Sequence, residues 1–382
     1  MSSTSVSPSR DTELIDLQQQ VARLQALLEA TRQVHSTTSL EQVLRRVLEI
    51  VVRELEMPGA LFTDPPLAYG LAPPAQADGC VRFPLRDKEE VLLTELVVAL
   101  PPDQQLSLFE QDFLEGLALQ AAVAVENAHY HQRNLEWVRL QRDLEAARAI
   151  QRSLLPQEMP TIDGYSIGVR SSACYEVGGD YTDIVRLPNG SHIMVVADVA
   201  GKGLASAIVS TAFRSAFRAM ALSGLPLDEV AARMNDQHYA EGAESRRRYV
   251  TAIFAKLDAE AHTIEVVNAG HNPGFLTSPG EEILEIKASG TPLGLVPSMQ
   301  YTIEHMAFPA GSRLLLYTDG LTEVFKDLEE FGSDRLRAAF IECNSPECNA
   351  ILDWLWSTLH EFSGGAAQDD DMTALAILRM PA

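Results

Sequence analysis

The stretch Tyr175–Gly203, YEVGGDYTDIVRLPNGSHIMVVADVAGKG, decides the fold of the C-terminal half of this chain. Two strand-like runs flank the segment LPNGS, which fits a three-residue β-hairpin loop with Gly190 in the left-handed position that glycine adopts at low cost. Such a loop pairs Leu187 with Ser191. The sequence therefore predicts an antiparallel hairpin with a defined register.

An aspartate stands at each open end of this predicted hairpin. Counting outward residue by residue from the loop reaches Asp180 and Asp198 together, so the two side chains are expected on one face with Cβ atoms about 5 Å apart. Like charges at this spacing destabilise a hairpin, and the nearest basic residue, Lys202, lies in the loop beyond. A divalent cation between the two carboxylates is the simplest resolution, because hard cations prefer carboxylate oxygens.

Further aspartates follow or precede other apolar strands. SRLLLYTDGLTE reads as a strand that ends at Asp319 before a helix, and QDDDMTALAIL places Asp370 and Asp371 at the start of the last strand. An aspartate before glycine is usually a turn residue. Acids at the ends of several strands, however, indicate a metal cluster.

Five ordered motifs carry a family resemblance: EVGGDYTD, ADVAGKG, NAGHNP, YTDGLTE and QDDDMT. They resemble the PPM-type (protein phosphatase 2C-like) serine/threonine phosphatases of the SpoIIE-like bacterial branch, over about residues 145–380. AARAIQRSLLP is similar to the regulatory helix that precedes the catalytic domain in that branch. The resemblance implies an α+β fold with a C-terminal PPM-type α-β-β-α sandwich, which the many short strands and few helices also favour.

The resemblance also implies a catalytic centre. Two Mn²⁺ or Mg²⁺ ions would activate a water that attacks phosphorus, without a covalent protein nucleophile. By motif match, Asp180 and Asp198 flank the bridging site and Val199 offers its backbone carbonyl. Asp319 and Asp370 complete the ligands of the second ion.

Other residues of these motifs are predicted to support the ligands or to line the substrate loop: Asp183, Gly201, Lys202, Asn268, His271 and Asp371. Asp183 falls on the opposite face of the hairpin from Asp180. His271 can be read as a general acid or as a residue that stabilises its loop, and Lys202 as a phosphate contact or as a solvated side chain. No arginine near Asp180 is recognisable as a phosphate clamp.

The N-terminal part has a different organisation. The order helix, strands, helix, together with LEGLALQAAVAVENAHY, resembles an α/β GAF sensor domain. We predict disorder over 1–12, a coiled-coil helix over 13–34, a GAF-like domain over 35–130, a linker helix over 131–156 and the phosphatase domain over 157–382. The GAF-like domain is interpreted either as a sensor with a small-molecule or protein activator, or as a degenerate fold that serves dimerisation.

Two apolar seams with alternating spacings of three and four predict helical pairing. They consist of Leu14, Leu17, Val21, Leu24 and Leu28, and of Trp137, Leu140, Leu144, Ala147, Gln151 and Leu154. The alternative for the first seam is one amphipathic helix packed on its own domain. Gln151 is the polar member of the second seam and is predicted to be regulatory, Pro156 is expected to end the linker helix, and a homodimer is expected.

Composition excludes several classes of protein. The 382 residues carry 53 acidic and 30 basic side chains, a formal charge of −23, which disfavours nucleic acid and anionic membranes as partners. Scattered cysteines and no long apolar run favour a cytoplasmic protein. The resemblance implies a phosphatase that acts on a phosphorylated STAS-type anti-sigma-factor antagonist; a non-catalytic pseudophosphatase or GAF-type sensor is the alternative.

Overall fold

The structure is a computed structural model, and it describes residues 10–71, 79–102, 104–154, 159–366 and 368–381. The chain divides into two compact units, Met1–Gln141 and Arg142–Ala382. None of the described helices combines the length and the apolar character needed to cross a membrane.

The first unit consists of helices and one antiparallel sheet. Its elements are α1 (Arg10–Val34), α2 (Leu40–Glu54), β1 (Gly59–Phe62), β2 (Leu67–Gly70), β3 (Cys80–Arg86), β4 (Leu92–Ala99) and the first part of α3 (Leu108–Leu154). The sheet order is β2-β1-β4-β3. The strands β3 and β4 confirm the two predicted strands of this region. The apolar face of α2 packs with the sheet and α3 in one hydrophobic core. The assignment of this unit to the GAF class stays a prediction.

The helices α2 and α3 begin in different ways. Before α3, Ser107 and Glu110 form a reciprocal capping box: the Ser107 backbone N donates to Glu110 Oε2 at 2.7 Å, and Glu110 N donates to Ser107 Oγ at 3.2 Å. Before α2, Ser39 makes no side-chain cap bond. Gln42 is instead engaged by the hydroxyl of Thr37, which donates to Gln42 Oε1 at 2.7 Å, so no capping box forms between Ser39 and Gln42.

The members of the first predicted seam whose side chains the structure describes lie on an exposed face of α1. Val21, Leu24 and Leu28 are exposed, whereas Ala30 and Val34 are buried in the core of the unit. The helix therefore packs on its own unit through a face other than the seam. The side chains of residues 10–20 and 23 lie outside the description. Helix α1 begins at Arg10, within the stretch predicted to be disordered.

The predicted linker lies within α3, which is one helix of 47 residues. Of the second seam, Trp137 and Leu140 are exposed, and Leu144, Ala147 and Leu154 are partly exposed. Pro156 lies outside the described residues. Pairing of these seams stays a prediction.

The second unit is a four-layer sandwich. Its helices are α4 (Leu204–Ala221), α5 (Leu227–Ala240), α6 (Ala243–Arg247), α7 (Gly332–Glu342) and α8 (Cys348–Ser363). Its strands are β5 (Tyr165–Ser172), β6 (Tyr181–Arg186), β7 (His192–Val199), β8 (Val250–Asp258), β9 (Thr263–Ala269), β10 (Gly274–Thr277), β11 (Leu284–Ile286), β12 (Glu304–Ala307), β13 (Arg313–Tyr317), β14 (Phe325–Lys326), β15 (Glu329–Glu330) and β16 (Met372–Arg379).

Two five-stranded antiparallel sheets form the centre, in the orders β11-β10-β13-β16-β5 and β12-β9-β8-β7-β6. Apolar side chains from both sheets make the inner core. Helices α4 and α5 cover the outer face of the sheet that contains β7, and α7 and α8 cover the outer face of the sheet that contains β13. This is the predicted α-β-β-α sandwich.

The predicted hairpin has the expected register. Leu187 N donates to the carbonyl oxygen of Ser191 at 2.8 Å, and Gly190 has a φ of 89°. The ladder runs without a shift from Arg186–His192 to Tyr181–Ala197. Its next step is Asp180 opposite Asp198, as the loop length predicts.

One element near the site differs from the prediction. The helix expected after Asp319 is only a 3₁₀ turn, Asp319–Leu321. The chain then forms the short hairpin β14–β15 before α7 begins at Gly332. Gly320 explains the compact turn, because a Cβ there would lie 2.0 Å from the carbonyl oxygen of Asp371.

Candidate active site

The open end of the β6–β7 hairpin meets the end of β13. Thr318, the residue after β13, donates its hydroxyl to Asp180 Oδ2 at 2.8 Å and accepts the backbone N–H of Thr373 at 2.9 Å. The backbone N of Thr318 donates to the carbonyl oxygen of Thr373 at 2.9 Å. Strands of both sheets are therefore joined at this point, and Asp180 is held by the residue that precedes Asp319. The sequence interpretation assigned no role to Thr318.

The carboxylates of this region raise one another's pKa. Burial, followed by the charge of Asp198, raises the pKa of Asp180 well above its ordinary value. Burial, followed by the charges of Asp319 and Asp370, raises the pKa of Asp198 to about 7. Burial and then Asp370 raise the pKa of Asp319. The four carboxylates predicted as ligands therefore lie close enough for their charges to interact, while their role as ligands stays a prediction.

One further acid belongs to the same electrostatic group. Burial raises the pKa of Glu323, and the next causes are the charges of Asp319 and Asp370. Glu323 follows the 3₁₀ turn and ends the motif YTDGLTE. Sequence reasoning gave it no role, although its place in that motif was the available signal.

Lys202 is the cation that the structure places at this group. Its Nζ lies 3.0 Å from Asp370 Oδ2 and donates to the carbonyl oxygen of Asp369 at 2.6 Å. The sequence left open whether this lysine is solvated or contacts phosphate. It is half exposed and held against the acids, so a freely solvated side chain is not what the structure shows.

Asp371 holds the turn that precedes Asp180. Its two carboxylate oxygens accept the backbone N–H groups of Cys174 at 2.8 Å and Gly179 at 2.6 Å. A Cβ on Gly178 would lie 2.6 Å from Asp371 Oδ2, and one on Gly179 would lie 3.1 Å from the carbonyl oxygen of Val199. The two glycines therefore allow the turn to approach Asp371 on one side and the Val199 carbonyl on the other.

Gln151 contacts the same turn from the end of α3. Its Nε2 donates to the carbonyl oxygen of Gly178 at 2.8 Å, and its Oε1 accepts the Gly178 N–H at 3.3 Å. The side chain is part-buried. The sequence interpretation placed Gln151 in a helix seam. In the structure, its side-chain amide instead binds Gly178 of the second unit, the residue two positions before Asp180.

Asp183 is fully buried and points away from the cluster. Arg218 of α4 donates to both of its oxygens, with Nε–Oδ2 at 2.6 Å and Nη2–Oδ1 at 3.0 Å. Tyr181 donates its hydroxyl to the same carboxylate. Asp183 thus fastens α4 to β6, in line with the predicted supporting role. The sequence did not reveal Arg218, because nothing local links it to Asp183.

His271 is buried in the loop after β9. Thr251 Oγ1 lies 2.8 Å from its Nδ1, and its Nε2 lies 2.8 Å from the carbonyl oxygen of Tyr317. Burial lowers the pKa of His271 to about 4, so the ring is neutral at neutral pH. The Asn268 side chain accepts the His271 N–H at 2.8 Å. Of the two roles left open by the sequence, this geometry favours loop stabilisation over general acid catalysis.

The donor set can be compared with the needs of a metal ion. Carboxylates and a backbone carbonyl suit Mg²⁺ or Mn²⁺, and their mutual repulsion is the electrostatic condition that a cation would relieve. Among the described side chains, no three acids, histidines or cysteines meet closely enough to hold an ion without other ligands. By the chemistry of its oxygen donors, the group fits a hard divalent cation such as Mg²⁺ or Mn²⁺.

Comparison with known proteins identifies the family. Residues 188–379 match the family model described as Stage II sporulation protein E (SpoIIE). The chain belongs to the SpoIIE family. The matched range begins inside the hairpin loop and ends with β16, so it contains the predicted ligands Asp198, Val199, Asp319 and Asp370.

Known members show how far the likeness extends. Protein IcfG of Synechocystis is 26% identical over 263 residues, which are 62% of this chain and 41% of IcfG. Phosphoserine phosphatase RsbU of Bacillus subtilis is 26% identical over 233 residues, 61% of this chain and 67% of RsbU. This chain thus spans well under two thirds of IcfG.

A solved structure supports the SpoIIE-type fold. The SiaA-PP2C domain of Pseudomonas aeruginosa superposes with a TM-score of 0.57 at 21% identity, covering 64% of this chain and 99% of that domain. At this identity the likeness shows the fold alone. The second unit therefore has a PP2C-type fold.

Proposed function

We propose that this protein is a metal-dependent phosphoserine/phosphothreonine protein phosphatase. The observation that carries the proposal is the convergence of Asp180, Asp198, Asp319 and Asp370 at the edges of the two sheets. Burial and the neighbouring acids there raise the pKa values of the first three. Family membership and the phosphoserine phosphatase RsbU among the relatives support the reaction class. Intact acids at all four positions argue against a non-catalytic pseudophosphatase.

Two Mn²⁺ or Mg²⁺ ions would be held by Asp180, Asp198, Asp319, Asp370 and the Val199 carbonyl, and when bound they would supply an activated water for attack on phosphorus. The protein's own groups position these ligands. Thr318 orients the Asp180 carboxylate, and the Gly178–Gly179 turn sets its backbone. His271 is neutral and engaged by protein groups, so it holds its loop and transfers no proton.

Hydrolysis of p-nitrophenyl phosphate by the full-length protein tests the reaction. We expect turnover with Mn²⁺ or Mg²⁺, loss of turnover with excess chelator, and recovery on adding the ion back. Mass spectrometry of the protein during turnover should show no phosphorylated enzyme. Metal-independent hydrolysis or a covalent phosphoenzyme would contradict the mechanism.

For the substrate, we propose a phosphorylated STAS-type anti-sigma-factor antagonist, and hence a role in sigma-factor regulation. The resemblance of the motifs to the SpoIIE-like phosphatases, together with the GAF-like N-terminal region, supports this proposal. Incubation with phosphorylated STAS-type proteins from the same genome, followed by mass spectrometry, should show loss of phosphate from one of them. Phosphoserine peptides of unrelated sequence serve as the control and should react more slowly.

We also propose that the protein is a homodimer joined through its helical seams. Trp137 is 60% and Leu140 51% exposed, which leaves an apolar stripe that a second helix would cover. Light scattering should give twice the chain mass. Leu140→Lys should yield a monomer, whereas Gln132→Lys, which lies off the seam on the same helix, should not.

The first unit offers a place for an activator. A groove of about 670 Å³ lies between the start of α2, the loop before β2 and α3, and it is lined among others by Leu44, Pro66, His131 and Leu135. We propose a GAF-like regulatory role for this unit. A thermal-shift screen of small molecules should raise the melting temperature if the groove binds one; a protein activator would instead raise turnover without such a shift.

A further inference from the structure

The pairing between β7 and β8 continues beyond the two strands. Asp198 still belongs to the ladder, and one position further Ala200 N donates to the carbonyl oxygen of Tyr249 at 2.9 Å. The next residue on each side is Gly201 and Arg248. The register that sets Asp198 therefore also brings Arg248 to the loop that follows it.

The side chain of Arg248 lies directly over this loop. A Cβ on Gly201 would be 3.0 Å from Arg248 Nη1, and within 4 Å it would meet no other heavy atom of the described residues beyond its own chain neighbours. Gly201 also has a φ of 98°, a conformation that other residues rarely adopt. Gly201 lies three residues after Asp198. Because it has no side chain, it leaves the space that the guanidinium of Arg248 occupies.

The backbone of Arg248 is fixed by its surroundings. Its N–H donates to the carbonyl oxygen of Ser245 at 2.9 Å. Its own carbonyl oxygen lies 2.9 Å from Nε2 of His238, which is buried. The base of the side chain is therefore held in place, and only the guanidinium end is free to adjust to a ligand.

The neighbouring arginines are engaged elsewhere. Arg246 stacks on the ring of Tyr239 at 4.8 Å, and Arg247 Nη1 lies 3.2 Å from Glu244 Oε1. For Arg248, no carboxylate among the described residues lies within 4.0 Å of the guanidinium nitrogens. The side chain is partly exposed. In a chain with a formal charge of −23, this guanidinium lies beside Gly201, three residues after Asp198, and no described carboxylate forms an ion pair with it.

We propose that Arg248 binds the phosphoryl group of a phosphomonoester substrate at the rim of the candidate active site. This inference rests on the proposed phosphatase function and adds a residue for substrate binding. A guanidinium presents two parallel N–H donors that match two phosphate oxygens. Lys202 does not offer such a pair of parallel donors, and its ammonium is already bound by the Asp370 carboxylate and the Asp369 carbonyl oxygen.

Calorimetric titration of the Mn²⁺-loaded full-length protein with inorganic phosphate tests the site without relying on turnover. We expect Arg248→Ala to weaken phosphate binding about 10- to 100-fold, as for the loss of a hydrogen bond to a charged group. Arg248→Lys should recover part of the affinity. Arg247→Ala, an exposed arginine one position away, is the matched control and should bind like the wild type.

Kinetics separates binding from a general structural effect. With p-nitrophenyl phosphate, Arg248→Ala should raise KM by the same factor and change kcat by less than about threefold, with an unchanged melting temperature. If the alanine variant does not fold, Arg248→Gln keeps the aliphatic stem and should show the same loss. Wild-type affinity for phosphate in a folded Arg248 variant would overturn the proposal.

The two proposals fail in different ways. A wild-type protein that binds phosphate through Arg248 but hydrolyses no phosphomonoester would retain the site and contradict the phosphatase function. An active enzyme whose Arg248→Ala variant binds phosphate normally would do the reverse. A wild-type protein that binds no inorganic phosphate in the Mn²⁺-loaded state would also overturn the role of Arg248.

Discussion

The hairpin β6–β7 holds its acids in two different ways. In its middle, Asp183 is fully buried and both of its oxygens accept hydrogen bonds from Arg218. At its open end, Asp180 and Asp198 face each other and other acids, and their pKa values rise. The same side chain on the same hairpin is satisfied at one place and left in mutual repulsion at the other.

This difference separates structural acids from candidate functional ones. The ion pair of Asp183 with Arg218 has a structural role, because it fastens a helix to a strand, and this role is sufficient to explain the buried aspartate. A group of carboxylates that raise one another's pKa costs stability, and such perturbed groups cluster at functional sites. The comparison predicts that the middle of the hairpin governs folding and that the open end governs chemistry.

The largest effect is expected at the open end. Asp198→Asn or Asp319→Asn should reduce Mn²⁺-dependent turnover below detection, because a ligand carboxylate is lost. The metal-free variant should melt no lower than the wild type, since neutral asparagine relieves repulsion. Steady-state assays at saturating Mn²⁺ and calorimetric melting measure both. Asp163→Asn, at an exposed position outside the group, is the control; near wild-type turnover in either site variant would refute the ligand assignment.

Asp183→Asn should show the opposite pattern. Leaving Arg218 without its buried partner is expected to cost about 3 kcal/mol of unfolding free energy, the lower end of the range because Arg218 is partly exposed. Turnover per folded molecule should stay within about threefold of the wild type. Urea denaturation gives the first quantity. Asp353→Asn removes an exposed ion pair with Arg170 and should cost less than about 1 kcal/mol; equal losses would contradict the comparison.

Gln151→Leu tests the turn before Asp180. The variant loses both bonds to Gly178, so kcat should fall about tenfold, comparable to losses of groups that orient metal ligands. Our sequence hypothesis, in which leucine strengthens the helix seam and locks one activity state, predicts a change in light scattering or in activation instead. Gln132→Leu makes the same chemical change on the same helix and should leave kcat unaltered. Wild-type kcat in Gln151→Leu would remove Gln151 from the site.

The smallest effect is the pH dependence of the metal-free protein. The pKa of Asp198 is about 7 in the folded state against an ordinary 3.8, so between these values the folded protein binds more protons than the unfolded chain. The free energy of unfolding must then fall as the pH rises through this range. We expect a loss of about 1 kcal/mol between pH 5 and 8 after allowing for partial exposure. Calorimetry in chelator should show a smaller loss in Asp198→Asn, and an equal loss would reject the assignment.

Local sequence rules were sufficient for the hairpin and its acids. A three-residue loop fixes register, so the position of Asp180 opposite Asp198 followed from counting. The strands next to the other acids were recognisable from apolar runs. Family motifs then connected Asp319 and Asp370, which no local rule could place beside the hairpin.

Contacts between distant segments could not be predicted in this way. Helices α4, α5 and α6 separate β7 from β8 in the chain, so no tight turn fixes the register of this pair. The approach of Arg248 to Gly201 could therefore not be read from the sequence. The hydrogen bonds from Gln151 to Gly178 join the end of a helix to a turn 27 residues later in the chain. The helical spacing around Gln151 suggested a seam instead. Asp371 was assigned a supporting role, but its clamp on Gly179 depends on the sheet that brings β16 beside β5.

The loop Pro188–Gly190 has a consequence for how this protein can vary over evolution. Six residue pairs of the β6–β7 ladder, which correspond to roughly 20 Å of strand, separate the loop from the two acids. Substitutions there should be tolerated wherever the left-handed position keeps its glycine. An insertion or deletion of a single residue would instead offset every pair along the ladder and separate Asp180 from Asp198. The geometry required at the open end of the hairpin therefore constrains the length of this surface loop more than its composition.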